Sequence, residues 1–190
     1  MLRDGCVFLM YHELALPNRE CCQSDPGYIR YVLSAEEFES QMLAIRDLGM
    51  RGATVSHGLL HPESAVVITF DDGCETDLLT AAPVLTKLGF GGTFYVVAGK
   101  VGKPGFMSGA QLRELSGAGF EIGCHSMTHP YLPDLDEVGL QREIAAAKVE
   151  LERILGKAIE HFSCPGGRYD SRVIRIAKAA GYRTLATSVP

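Results

Sequence analysis

The sequence lacks any uninterrupted apolar run near the roughly 18 residues that a membrane-spanning helix needs. It lacks an excess of positive charge, since 18 lysines and arginines against 23 aspartates and glutamates give 18 − 23 = −5. A chain of that sign has no general attraction for nucleic acid or for anionic lipid. It lacks a Cys-x-x-Cys pair among its 6 cysteines, which speaks against a thiolate zinc site. Met1–Met10 carries no secretory pattern, because Asp4 interrupts a short apolar stretch and no small-residue cleavage site follows. That predicts free thiols and a cytoplasmic protein, or an extracytoplasmic one if a leader has been removed. No repeat, low-complexity segment or linker divides the chain, so residues 1–190 read as one domain.

What is present is a globular composition, 46% apolar and 22% charged, and a regular alternation. Val7–Met10 is a short apolar run that predicts a strand. Ser34-Ala35-Glu36-Glu37 is a capping box opening a helix with Phe38, Met42, Ile45 and Leu48 on one face, stopped by Gly49. The β-branched run Ala65–Phe70 predicts a buried strand, and Leu78, Ala82, Leu85 and Leu88 a helix closed by Gly89. Gly92–Val97 and Phe120–Gly123 predict strands on either side of a second capping box, Ser108–Gln111. Leu140, Ile144, Ala147, Leu151 and Ile154 form the stripe of a long helix. His161–Ser163 and Thr184–Thr187 predict strands flanking a helix that Asp170 caps. His57 and His61 fall in a loop-like stretch with Gly58 and Pro62. Strands alternating with helices imply parallel pairing through right-handed crossovers. The expected fold is α/β, a distorted or incomplete (β/α) barrel of six or seven mainly parallel strands. Its chemistry belongs at the carboxyl ends of those strands.

Polar residues fall at those ends. Tyr11-His12-Glu13, Asp71-Asp72-Gly73, His125-Ser126-Met127-Thr128-His129 and Pro165-Gly166-Gly167-Arg168 each follow a predicted strand. Alone, Asp71-Asp72 reads as a pair of helix-capping acids, and His125 with His129 as a solvent-facing loop. Together, two imidazoles at i, i+4 and one carboxylate make a facial metal set with open positions. One carboxylate is then left over, and a spare carboxylate beside an ion that activates water suits a general base. His161 sits on the opposite rim, and Glu13 is expected either to orient His12 or to face water.

Thr69-Phe70-Asp71-Asp72-Gly73, then His125-Ser126-x-x-His129, then Pro165-Gly166-Gly167 resemble, in that order, the polysaccharide deacetylase family of the NodB-homology, carbohydrate esterase 4 type. The resemblance implies a distorted barrel that uses one divalent ion, commonly zinc, to remove N-acetyl groups from an amino-sugar glycan. It implies Asp71 as the base, Asp72, His125 and His129 as metal ligands, and the Gly166 N–H as an oxyanion donor. Family members usually take a catalytic histidine from near the C-terminus, but no histidine follows His161. Tyr11-His12 instead resembles the circularly permuted branch that includes poly-N-acetylglucosamine deacetylases, with His12 as general acid on a strand closing the ring beside Thr184–Thr187. The third motif usually opens with an arginine that orients the base; here Ser163 or Cys164 stands in that region and Arg168 comes late, so its substitution is left open. The absence of Trp removes the family's usual Asp-Trp support for the catalytic histidine. Two other readings remain: a noncatalytic carbohydrate- or metal-binding module, and hydrolysis of a small non-glycan amide. Oligomeric state is not legible.

Overall fold

The computed structural model describes residues 6–63 and 65–188. Met1–Gly5, which bear on the expectation for the N-terminus, lie outside the described residues. The strands are β1 (Val7–Tyr11), β2 (Leu14–Ala15), β3 (Leu33–Ser34), β4 (Arg51–Ala53), β5 (Ala65–Phe70), β6 (Thr93–Val96), β7 (Glu121–Cys124), β8 (His161–Ser163) and β9 (Thr184–Ala186). The α-helices are α1 (Pro26–Ile29), α2 (Ala35–Asp47), α3 (Val55–Leu60), α4 (Ala82–Leu88), α5 (Gly109–Gly117), α6 (Glu137–Leu140), α7 (Ala147–Leu155) and α8 (Ser171–Ala179).

The main sheet runs β1-β5-β6-β7-β8-β9, with β4 also paired to β5. Every pairing is parallel, and the sheet curls through 235° as a half-barrel surrounded by helices. β5 sits at its centre. All six of its residues are buried, as expected for an Ala-Val-Val-Ile-Thr-Phe run covered on both faces. One edge of β5 takes β1 from Val66 to Phe70; the other takes β4 at Ala65–Val67 and β6 at Thr69–Phe70. The core packs Phe70 on Phe94 at 4.8 Å between ring centroids, with Tyr11 stacked on Phe70 at 5.4 Å. In register, Tyr11 lies opposite Phe70 and Ser163 opposite Ala186, so the residues just after these strands emerge on one rim.

Three expectations need correction. β1 is expected from the sequence to close the ring beside Thr184–Thr187, but β1 and β9 are the two unpaired ends of the sheet. Six strands in line, the last of 3 residues, do not reach the eight that close a ring of this kind. The loop expected around His57 and His61 is instead the helix α3, whose Thr54 cap accepts the His57 amide. Gly58 does not break it: a Cβ there would stand 2.1 Å from Val67 Cγ2, so glycine lets the helix lie close on the sheet. Third, two stretches of the expected helices widen into π-helix, at Asp77–Ala81 before α4 and at Gln141–Ala146 between α6 and α7. Both lie on segments that reach the polar rim.

Candidate active site

The strand ends deliver their side chains while the backbone is still tied to the sheet. The Asp71 N–H bonds Tyr11 O at 2.9 Å, and the His125 N–H bonds Val96 O at 2.8 Å. Immediately beyond, the chain turns sharply: Asp72, Ser126 and His129 all adopt positive φ (82°, 67° and 70°). Non-glycine residues hold such angles only where the surroundings enforce them, and such strain concentrates at functional sites. The enforcement is visible. Ser126, fully buried, accepts the His129 amide on Oγ at 2.9 Å. Glu143, in the second π segment, accepts the Met127 and Thr128 amides at 3.0 and 2.7 Å and the Thr128 hydroxyl at 2.8 Å.

These turns bring Asp72, His125 and His129 together, each offering one ligand atom within 4.8 Å of the others. His125 Nε2 lies 3.1 Å from His129 Nε2, and His129 Nε2 lies 3.6 Å from Asp72 Oδ1. Ligands at about 2.0–2.1 Å around a tetrahedral zinc ion would stand roughly 3.3 Å apart, so the spacing fits. The donors fit as well. His125 Nδ1 faces Ser163 O at 2.9 Å, which places its proton there and leaves Nε2 a free lone pair. Asp72 Oδ1 is buried with no hydrogen-bond partner, the condition a cation would relieve. Burial holds the pKa of both imidazoles below the ordinary histidine value, which keeps the lone pairs free.

Asp71, one residue earlier, is 5% exposed and is not part of that set. Its Oδ2 accepts the Ser163 hydroxyl at 3.2 Å and lies 3.7 Å from His125 Nε2. Burial pushes its carboxyl up to about 6; the His12 charge opposes this and the Asp72 charge adds to it. His12 lines the same cavity of about 550 Å³, together with Asp71, Asp72, His125, His129, Tyr131 and Gly166. Its ring stacks on Tyr31 with centroids 4.9 Å apart. Burial holds its pKa down, against the pull of Asp71 and Asp72.

Gly166 lies at the cavity wall with φ 60°; a Cβ there would come within 2.6 Å of Tyr131 Cε1. Arg168 makes no hydrogen bond to Asp71; its guanidinium stacks over Tyr131, 4.2 Å from the centroid. The donor beside Asp71 is Ser163. Glu13 neither orients His12 nor faces water: it is 1% exposed and accepts the Cys22 amide and the Tyr28 hydroxyl. Glu143 escapes sequence reasoning because only the fold brings it to Met127 and Thr128, whereas Ser163, in the region where the family carries its base-orienting arginine, reaches Asp71 from 92 residues away.

The fold and this rim define an incomplete α/β barrel with a two-histidine, one-carboxylate cluster and a spare buried carboxylate at the carboxyl ends of its strands. The polysaccharide deacetylase profile matches residues 60–185, and the chain belongs to that family. The match begins beyond β1, the strand that His12 directly follows. YxkH of Bacillus subtilis (strain 168) is 28% identical over 189 residues, covering 96% of this chain and 64% of that protein. A peptidoglycan-N-acetylglucosamine deacetylase of Bacillus cereus is 30% identical over 127 residues, covering 66% of this chain and 57% of that protein. The solved structure of IcaB from Ammonifex degensii superposes with a TM-score of 0.80 at 28% identity, covering 96% of this chain and 83% of that one. The chain thus spans 57–64% of the length of these two curated relatives.

Proposed function

We propose that the protein is a metal-dependent hydrolase that removes N-acetyl groups from an amino-sugar glycan. The observation that carries this reading is the division of labour between neighbouring carboxylates. Asp72 converges with two imidazoles, while Asp71 stays outside the set and burial pushes its carboxyl up to about 6. Asp72, His125 and His129 would hold the ion, with zinc the best fit to two nitrogens and one oxygen. Bound there, a divalent ion supplies Lewis acidity that polarises an acetyl carbonyl and acidifies water. Asp71, with a pKa near the working range, takes the proton of the attacking water. The Ser163 hydroxyl holds Asp71 in place. The Gly166 N–H is assigned to the developing oxyanion. His12 gives a proton to the departing nitrogen as the C–N bond breaks, leaving acetate and a free amine. Its lowered pKa makes the protonated ring a stronger donor at the expense of the fraction protonated.

The cavity opens beside Tyr31 and Tyr131, which are 53% and 49% exposed, and this favours one unit of a longer glycan over a small enclosed amide. The Bacillus cereus relative named for peptidoglycan-N-acetylglucosamine deacetylation supports the same class. The test is acetate release from chitooligosaccharides, peptidoglycan fragments and poly-N-acetylglucosamine with added zinc, cobalt or nickel. Release that depends on the ion supports the reading; no release from any of the three with any ion overturns it.

A further inference from the structure

A second cluster of ligand-type side chains stands behind the site, where the loop between β1 and β3 meets the turn after β5. Cys22 Sγ, Cys74 Sγ and a Glu13 carboxylate oxygen lie within 4.8 Å of one another. The sequence hides it, because the two cysteines are not a Cys-x-x-Cys pair. Glu13 is 1% and Cys74 0% exposed. The fold holds the groups close, with the Cys22 thiol donating to Gly105 O at 2.8 Å until an ion displaces its proton. Cys22 N–H donates to both Glu13 oxygens, at 3.0 and 2.8 Å, and the Tyr28 hydroxyl donates to Glu13 Oε2 at 2.9 Å. The same hydroxyl is 3.3 Å from Cys74 Sγ. These bonds use three of the roughly four lone-pair sites of a carboxylate and leave one on Oε1. No lysine or arginine bonds Glu13 or Asp77 among the described residues.

A second observation is independent of the first. Asp77 is 0% exposed and neither of its carboxylate oxygens has a hydrogen-bond partner. Its amide donates to Cys74 O at 3.1 Å. Asp72, Cys22, Glu13 and Asp71 are the groups whose charges act on it, and Asp77 in turn acts on Cys74. Burial among these acids holds the Asp77 pKa well above the ordinary carboxylate value, a penalty that a cation bound beside it would relieve.

We propose that Glu13, Cys22 and Cys74 form a second, structural metal site that takes zinc, with Asp77 lying beside it. Two sulfurs select a soft ion over magnesium or calcium. None of the three groups lines the catalytic cavity, so the site braces and does not react. The two thiols lose their protons to solvent as the two sulfur–metal bonds form, and no electron changes hands. Cys22 belongs to the loop whose Gln23, Asp25, Tyr28 and Tyr31 line the catalytic cavity, and Cys74 lies two residues past Asp72. The ion would tie one cavity wall to the segment that carries the two aspartates.

The test uses the full chain loaded with zinc or cobalt and desalted, with metal content and the near-ultraviolet sulfur-to-cobalt charge-transfer band as readouts. Wild type should keep two ions per chain and show the band. Cys22→Ser should lose one ion and the band, while Cys21→Ser, its neighbour outside the cluster, keeps both. His129→Ala should lose one ion and keep the band, which separates failure of this site from failure of the catalytic one. In unaltered protein, zinc should slow alkylation of Cys22 far more than of Cys21. Absence of the band in wild type, a band that survives Cys22→Ser, equal alkylation with and without zinc, or a Cys22–Cys74 disulfide in the zinc-loaded protein would each overturn the proposal.

Discussion

Asp71 and Asp72 are the same residue type one position apart, and their surroundings separate them. The positive φ of Asp72 swings its carboxylate toward His125 and His129, with Oδ1 left unpaired. Asp71, still held by the sheet, meets Ser163. Neighbouring carboxylates held by such different partners are suited to divided roles. Asp71→Asn should therefore keep its metal content and lose on the order of 10²–10⁴-fold in acetate release. Turnover at the wild-type rate in that variant would remove Asp71 as base. His12→Ala should lose a similar factor, about 10²–10⁴-fold, again with metal content unchanged, because its ring lines the cavity without joining the ligand set. If elemental analysis finds that His12→Ala has shed its ion, His12 is a ligand and not the acid.

At the scale of elements, the site depends on the helix that runs from Glu137 to Leu155 through its π segment. The wider turn at Gln141–Ala146 carries Glu143, 5% exposed, whose carboxylate takes three hydrogen bonds from Met127 and Thr128. π segments of this kind recur at functional sites because they re-aim one side chain without ending the helix. Glu143→Ala leaves two amides without their acceptor and should cost about 1–3 kcal/mol in urea unfolding. It should also weaken metal binding by about 10–100-fold, as loss of a supporting residue does. A variant destabilised but with unchanged metal affinity would make Glu143 a stability residue only. The long helix itself was legible, since Leu140, Ile144 and Leu151 mark its buried face; the π turn was not, because it alters which amide bonds which carbonyl and leaves the apolar stripe intact. The six strands in line were legible as short stretches alternating with helices, β5 most clearly through its β-branched run. β4 was not, being Arg51-Gly52-Ala53 with no β-branched residue, nor was α3, whose Gly58 imitates a break. Asp71, Asp72, His125 and His129 were legible because each follows a strand by one to five residues. The Glu13–Cys22–Cys74 group was not, because only the fold brings it together.

Across the whole molecule, the half-barrel is tied at the rim opposite the active site by a partly buried polar network that spans four strands and one helix. Thr93 donates to Glu121 Oε2 at 2.6 Å, and the Ser56 amide reaches the same oxygen at 3.3 Å. His161 Nε2 lies 3.3 Å from Glu121 Oε1 and 2.8 Å from Ser56 Oγ, while its Nδ1 meets Thr184 Oγ1 at 2.8 Å. β6, β7, β8, β9 and the helix after β4 are thereby joined around one carboxylate. In a sheet whose end strands do not meet, such a knot replaces the closure that a full ring would supply. Burial alone would raise the Glu121 pKa, but the bonds from His161, Ser56 and Thr93 outweigh it and hold the group at about 2, below its ordinary 4.5. A carboxylate depressed in the folded state binds more protons unfolded than folded between those two values, so stability rises with pH across that interval. Its contribution is fully present above about pH 4.5 and is lost as pH falls toward 2. A depression of this size is worth about 1–3 kcal/mol at neutral pH. Glu121→Gln should therefore lower the urea midpoint at pH 7 and flatten its fall between pH 5 and pH 3 relative to wild type. Parallel wild-type and variant curves over that range would show that the knot does not hold the open barrel together.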